Sequence, residues 1–238
     1  MIIDVADKKN MTDSNIKVSV LMITYNHEPY LAQSIDSVLM QETDFDFEIV
    51  IGEDYSTDRT RKILIKYQKK HPDKIQLLLQ KKNIGANANY RKTYAECRGD
   101  YIAYLEGDDF WTDKKKLQKQ VACLENNKEL SMCFTGARKI DEKGSLIHDN
   151  MVAKRFRKTL TQKEILNDYV PPALTVLMRR YAYVFPDCCH RIINLDYFES
   201  VMLTEYGNAG YLPEITSCSR MHSGGIWSMK SEEFYLLH

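Results

Sequence analysis

The stretch Gly99-Asp100-Tyr101-Ile102-Ala103-Tyr104-Leu105-Glu106-Gly107-Asp108-Asp109-Phe110-Trp111 constrains this chain more than any other. Tyr101 to Leu105 has the length and residue types of a buried strand, and it stops abruptly in three carboxylates wrapped around one glycine. Ligands of an open parallel sheet bind just beyond the carboxyl ends of its strands. Acidic oxygens in that position suit a hard divalent cation, which commonly keeps substrate phosphates in its shell. The alternative is that Asp108 and Asp109 only turn the chain and cap a following helix, two jobs aspartate favours.

The preceding segments bear on that choice. Val18 to Thr24 reads as a first buried strand ending at Tyr25-Asn26-His27-Glu28, and Pro29 to Gln41 carries a helical stripe of Leu31, Ile35, Val38 and Leu39. Phe47 to Ile51 reads as a second strand ending in Gly52-Glu53-Asp54. Ser56-Thr57-Asp58 then reads as the start of a helix from about Arg59 to Lys70. Ile75 to Leu79 is a third strand, followed by Lys82-Asn83-Ile84-Gly85 and a helix from Ala86 to Glu96; Lys114 to Asn126 is amphipathic, with Leu117, Val121 and Leu124 on one face. Four strand–helix units in a row imply a parallel sheet with helices on both faces. Parallel strands share a direction, so the polar clusters Thr24-Tyr25-Asn26, Glu53-Asp54 and Glu106-Gly107-Asp108-Asp109 fall on one edge, where such a sheet holds a nucleotide. Neither the glycine-rich turn of dinucleotide binders nor that of phosphate loops is present, so phosphates need another holder, and a cation on the acidic cluster supplies one.

Composition removes several rivals. The 33 basic and 33 acidic residues balance, so no wide field favours nucleic acid. The six cysteines (Cys97, Cys123, Cys133, Cys188, Cys189, Cys218) lack Cys-x-x-Cys spacing, which argues against a cysteine zinc site or a disulfide scaffold and for reduced thiols in the cytoplasm. No apolar run reaches membrane-span length, and Met1 to Lys9 lacks signal-peptide character.

Val18-Ser19-Val20 through Thr24-Tyr25-Asn26, Glu53-Asp54-Tyr55-Ser56-Thr57-Asp58-Arg59-Thr60, Asn83-Ile84-Gly85 and Gly99-Asp100-Tyr101-Ile102 through Glu106-Gly107-Asp108-Asp109 together resemble the family 2 inverting glycosyltransferases. The match in order and spacing runs from about residue 17 to 140. The resemblance implies a GT-A fold: an α/β, Rossmann-like, mostly parallel central sheet with helices on both faces and a smaller acceptor-side extension. It implies a nucleoside-diphosphate sugar donor, with UDP-sugar favoured over dTDP- or GDP-sugar, and Mn2+ or Mg2+ as cofactor. Thr24, Tyr25, Asn26, Glu53, Asp54, Asn83 and Gly85 would then face the nucleotide, with Asp54 accepting from the base. Glu106, Gly107 and Asp108 would fill the Asp-x-Asp motif, Glu106 toward the ribose and metal shell and Asp108 on the metal itself. Glu106 and Glu53 stand where the family usually has aspartate; each keeps the charge and adds a methylene.

On this reading residues 1–15 are a loose leader, 16–145 the nucleotide-sugar-binding half and 146–238 the acceptor and catalytic half of the same domain. Leu130 to Phe134 reads as a strand, Ala137 to Ile147 as a hairpin-like extension turning at Glu142-Lys143-Gly144, and Leu174 to Met178 as a further strand. Lys154-Arg155-Phe156-Arg157-Lys158 is a basic run, read as a solvated face or alternatively as a contact for a lipid headgroup or anionic acceptor. Asp196 opens an amphipathic helix ending at Gly207, where the resemblance places the catalytic base; the competing role is a helix N-cap. Ser219-Arg220-Met221-His222 resembles the family's Arg-x-His segment, whose histidine can complete the metal shell. Trp227 would cover the acceptor site or simply pack. The acceptor implied by analogy is a saccharide or lipid-linked saccharide of bacterial surface polysaccharide, reached from the cytoplasm or from the inner face of a membrane. Two rivals are a sugar-1-phosphate nucleotidyltransferase, which needs a glycine-rich loop where Thr24-Tyr25-Asn26-His27 stands, and a catalytically silent binding module on the same fold.

Overall fold

Alternation along the first strand sets the layers. In a strand, successive side chains point to opposite faces. In β1 (Ile16–Thr24), Val18, Val20 and Met22 therefore join one buried cluster, while Leu21 and Ile23 join another. The computed structural model describes residues 16–180 and 195–225. The leader 1–15, Cys188, Cys189 and Trp227 lie outside them.

After β1 come α1 (Leu31–Leu39), β2 (Asp46–Glu53), α2 (Thr60–Lys70), β3 (Ile75–Leu79), α3 (Ala86–Ala95) and β4 (Tyr101–Glu106). These strands pair in parallel in the order β3-β2-β1-β4. The chain thus builds outward from β1 in one direction and then returns to its other side. The crevice beyond the carboxyl ends of β1 and β4 is the point where strand order reverses, the place where open α/β sheets bind ligands.

The remaining elements are β5 (Phe110–Trp111), α4 (Lys116–Asn126), β6 (Leu130–Ile140), β7 (Leu146–His148), α5 (Gln162–Asn167), β8 (Leu177–Arg179), α6 (Leu195–Leu203) and β9 (Asn208–Arg220). They make the sheet mixed. β8 pairs antiparallel with both β4 and β6, β9 runs parallel to β6, and β5 pairs antiparallel with β9. Among the described residues nine strands form this one sheet, β7 pairing off its path with β6. Helices α1, α2 and α4 cover one face, through Leu31, Ile35, Leu64, Leu117 and Val121. Helices α3, α5 and α6 cover the other, through Tyr90, Tyr94, Ile165, Leu195 and Leu203.

Several expectations change here. The acidic turn leads into β5, and α4 starts only at Lys116, so Asp108 and Asp109 cap no helix. Asp113 does the nearby helix-start work, accepting the Lys115 N–H at 2.9 Å. The strand expected at 130–134 and the arm beginning at 137 are one continuous β6. The strand expected at Leu174 splits into a 3-10 turn (Ala173–Thr175) and β8. Helix α5 is not among the elements expected from the sequence; it opens on a capping box in which Thr161 and Glu164 exchange side-chain and backbone bonds. The basic run keeps the solvated face expected of it: Lys154, Arg155, Arg157 and Lys158 are exposed, Phe156 alone is buried and stacks on Tyr169, Arg157 Nε donates to the Val152 carbonyl and Lys158 pairs with Glu164.

Helix α4 also buries a lysine. Lys116 is fully enclosed, its ammonium donating to Gln120 Oε1 and, at 3.1 Å, to the Thr175 carbonyl, over the ring of Trp111. Burial lowers its pKa from 10.5 to about 7. The unfolded chain therefore binds this proton more readily, and the lysine's contribution to stability is fullest above pH 10.5 and lost as pH falls toward 7. We expect Lys116→Met to flatten that slope. Urea unfolding from pH 7 to 10 should show native stability rising relative to the variant; parallel curves would refute the assignment.

Candidate functional site

The tips of β1, β2 and β4 lie level. Thr24 pairs with Glu53, Ile23 pairs with Glu106, and the Asp54 and Gly107 N–H groups donate to Thr24 and Ile23 carbonyls, each at 3.1 Å. The three polar clusters therefore share one rim.

The loop after β1 is bracketed by the loop after β2. The N–H groups of Asn26, His27 and Glu28 donate to Ser56 Oγ (3.0 Å), Thr60 Oγ1 (2.9 Å) and Asp58 Oδ2 (3.0 Å), while Asn26 Oδ1 accepts from Thr57 N–H at 2.8 Å. Ser56-Thr57-Asp58, expected to start a helix, thus mainly holds its neighbour. The helix follows at Thr60, where Asp58 Oδ1 accepts the Thr60 N–H. Asn26 (φ 55°) and Tyr55 (φ 63°) adopt the left-handed conformation that sharp exits from strand tips require. Tyr25 and Tyr55 stand exposed on this rim.

The carboxylates at the tip of β2 are engaged inside the protein. Glu53 is completely enclosed and bonds Arg61 and the Ser56 N–H, so it builds the loop. Asp54 accepts the Ile84 N–H (2.8 Å) on one oxygen and the Gly85 N–H (2.9 Å) on the other. It fastens the Asn83-Ile84-Gly85 turn to the rim; Asn83 Oδ1 also accepts the Gly85 N–H, at 3.1 Å.

The turn that begins at Gly107, just past the end of β4, separates the two acids of Glu106-Gly107-Asp108, which continued alternation would have put on one face. Glu106 shares a face with Tyr104, whose hydroxyl donates to Glu106 Oε1 at 3.0 Å. Burial first, then the charges of Asp108 and Asp196, lift the Glu106 carboxyl above its usual range. Asp108 turns the other way, toward two histidines. His222 Nε2 lies 2.9 Å from Asp108 Oδ2 and His27 Nε2 3.7 Å from the same oxygen. Burial opposes the charge on Asp108, but the His222 hydrogen bond and nearby His27 outweigh it and hold its carboxyl below the usual range. Burial keeps His27 below the ordinary histidine value, favouring the neutral imidazole. One ligand atom from each of His27, Asp108 and His222 lies within 4.8 Å of the others, so these residues can hold a metal. Asp108 Oδ1 is buried with no hydrogen-bond partner, as are Thr24 Oγ1 and His27 Nδ1. Asp109, also buried, accepts the Arg220 N–H at 2.8 Å and so docks the end of β9, which carries His222, onto the acidic turn.

Gly107 has to be glycine. A Cβ there would lie 2.7 Å from Thr24 Oγ1 and 2.9 Å from His27 Nδ1. Gly107→Ala is expected to cost about 1–3 kcal/mol of stability, measured by urea unfolding, as overpacking does. An unchanged midpoint would mean that His27 yields freely.

Asp196 lies in the first turn of α6, inside the helix rather than at its N-cap. It is open to solvent, yet its surroundings desolvate it enough to lift its carboxyl above the ordinary value, against the N–H groups of Tyr197 and Asp196 that stabilise the charge. One turn on, Glu199 Oε2 accepts from the Tyr90 hydroxyl at 2.5 Å and ties α6 to α3. The structure thus brings Glu106, Asp108, His222 and Asp196 to one edge. It adds His27, which sequence reasoning passed over. The available signal was its place immediately after Asn26, on the same strand tip as the other polar groups.

Comparison with known proteins agrees with this architecture. The glycosyl transferase family 2 model matches residues 19–185. An uncharacterised protein of Mycobacterium tuberculosis is 32% identical over 88% of this chain and 60% of its own length. The putative teichuronic acid biosynthesis glycosyltransferase TuaG of Bacillus subtilis is 31% identical over 71% of this chain and 65% of its own. The chain therefore spans about 60% of the first of these relatives. In fold it is similar to S. aureus TarS 1-349, with TM-score 0.68 and 20% identity over 87% of this chain and 61% of that one. The mannosyltransferase PcManGT from Pyrobaculum calidifontis, in complex with GDP-Man and Mn2+, gives TM-score 0.65 and 15% identity over 90% of this chain and 59% of that one. With a GT-A fold, carboxylates gathered where strand order reverses, and a family model matching residues 19–185, the chain belongs to glycosyl transferase family 2.

Proposed function

We propose that the chain transfers a sugar from a nucleoside-diphosphate donor to an acceptor hydroxyl, by one displacement that inverts the anomeric carbon. The observation that carries this reading is the cluster just past the end of β4, where Asp108, with one buried oxygen unpartnered, stands 2.9 Å from His222 Nε2, and where Asp196 at the start of α6 is near enough for its charge to raise the Glu106 carboxyl. The half from 16 to 145 holds the donor and the half from 146 onward presents the acceptor. Thr24, Tyr25 and Asn26 border the nucleotide, with the Asp54-fastened turn at Asn83 and Gly85 as its floor. Asp196 takes the proton from the attacking hydroxyl; general-base catalysis of this kind contributes about 10²–10⁴ in rate.

The unpartnered Asp108 Oδ1 and the adjacent His222 fit a divalent ion. Such an ion, Mn2+ or Mg2+, would act as a Lewis acid on the diphosphate. A UDP-sugar is the donor favoured, supported by a fold shared with TarS in complex with UDP-GlcNAc (TM-score 0.67). A saccharide or lipid-linked acceptor of bacterial surface polysaccharide is supported by the likeness to TuaG. Among the described residues no helix is long and apolar enough to cross a membrane.

The test is transfer from a panel of UDP-, dTDP- and GDP-sugars with manganese, with and without chelator. The expected result is chelator-sensitive transfer from one UDP-sugar, with inverted product by NMR. Pyrophosphate release from a sugar 1-phosphate and nucleoside triphosphate would point to a nucleotidyltransferase instead. Donor binding without turnover on any acceptor would point to a binding module.

A further inference from the structure

Asp108 meets two imidazoles at one oxygen, His222 at hydrogen-bond distance and His27 beyond it, a spacing that a shared ion would also accommodate. The 3.7 Å from His27 Nε2 to Asp108 Oδ2 is too long for a hydrogen bond. Ligand atoms each about 2.1 Å from one ion stand about 3–4 Å apart, which matches both histidine–carboxylate distances. A purely internal network would also leave Asp108 Oδ1 buried and unsatisfied, which native structures seldom tolerate.

The three groups come from separate, well-anchored segments. His27 sits on the loop after β1, its N–H held by Thr60 Oγ1 and its ring packed over Gly107. Asp108 sits on the turn after β4. His222 follows β9, its ring 4.7 Å from that of Tyr30, and β9 is pinned to the turn through Arg220 and Asp109. The two histidine rings stand edge-on at 88°, with centroids 6.0 Å apart. Glu106 is held away by Tyr104. This is therefore not an all-oxygen site.

We infer that His27 is a direct ligand of the donor-side ion, together with Asp108 and His222, and that this two-histidine, one-carboxylate set selects a first-row transition ion over magnesium. Imidazole nitrogens suit transition ions, whereas carboxylate, carbonyl and water oxygens suit magnesium and calcium. The inference rests on the ion in the function proposed above and adds a ligand and a metal class to it.

The test titrates chelator-stripped full-length chain with cobalt(II) chloride, and separately with magnesium chloride, with no nucleotide present. Cobalt binding is followed by its visible spectrum and both ions by calorimetry. The native chain should bind cobalt at least about 100-fold more tightly than magnesium, with a spectrum showing nitrogen ligation. His27→Ala and His27→Gln, checked for folding by circular dichroism, should each weaken cobalt at least about tenfold, since even outer-shell partners cost about 10–100-fold. Magnesium affinity should barely move. Native cobalt affinity and spectrum in both folded variants would overturn the role of His27 while leaving glycosyl transfer standing. No preference for cobalt in the native chain would overturn the selectivity. If the native chain bound neither ion and transferred sugar unaffected by chelator, the metal part of the proposed function would fall as well.

Discussion

Asp196→Asn should abolish sugar transfer, lowering the rate by about 10²–10⁴ while donor affinity stays at the native level. The effect is confined because asparagine keeps an oxygen to accept the N–H groups at the start of α6, and because the Tyr90–Glu199 bond ties the helix down independently. Desolvation raises the Asp196 carboxyl in the folded chain, so folding favours its protonated form. The stability this confers is fully present below the unfolded carboxylate pKa and is lost as pH rises through the folded one. At neutral pH the native aspartate is thus a mild burden, and the variant should unfold no earlier than the native chain. The base must be ionised to work, so native activity should decline as pH falls through that raised value. Single-turnover rates, donor titration and thermal unfolding separate these effects. Native turnover in the variant would remove Asp196 from the mechanism.

A larger and broader loss is expected for Asp108→Asn. Asp108 supplies the only carboxylate in the three-residue cluster with His27 and His222, and its hydrogen bond with His222 helps hold its charge there despite burial. The amide can still accept from His222, so the fold should persist. Without the charge, the divalent ion of the proposed function would lose the carboxylate of its cluster, and several kcal/mol of stabilisation of the leaving diphosphate would go with it. Transfer should fall by about 10³-fold or more, a fall of about 4 kcal/mol being about that factor, and manganese binding followed by electron paramagnetic resonance should disappear. Excess manganese should not restore activity. Metal-dependent transfer at the native rate would show that the ion sits elsewhere.

The first half of the fold was legible because its signals are local. Each of β1 to β4 is a short apolar run with a polar stop, and α1, α2 and α4 carry stripes at helical spacing. The second half resisted because its strands are specified by partners. β9 contains Pro213 and Glu214 and lacks a clean alternation, and it becomes a strand by running alongside β6. β5 is two residues long and exists only through its pairing with β9. Lys116 and Gln120 look like the polar side of an amphipathic helix, yet both are buried where α4 meets the Thr175 carbonyl.

The same division runs through the site. Parallel strands must end on one edge, so residue order alone was enough to place Thr24, Asp54 and Glu106 on a common rim. Sequence alone also marked Asp108, Asp196 and His222 as its chemical groups. Only the tertiary structure decided which of them meet. Period-two alternation within β4 puts Glu106 beside Tyr104, the turn past its end takes Asp108 toward His27, and the pairing of β9 with β5 and β6 brings His222 across more than a hundred residues to the same oxygen. Strand direction is a local property that a sequence carries. The distance between two side chains depends on how separate segments pack, and no single segment encodes it.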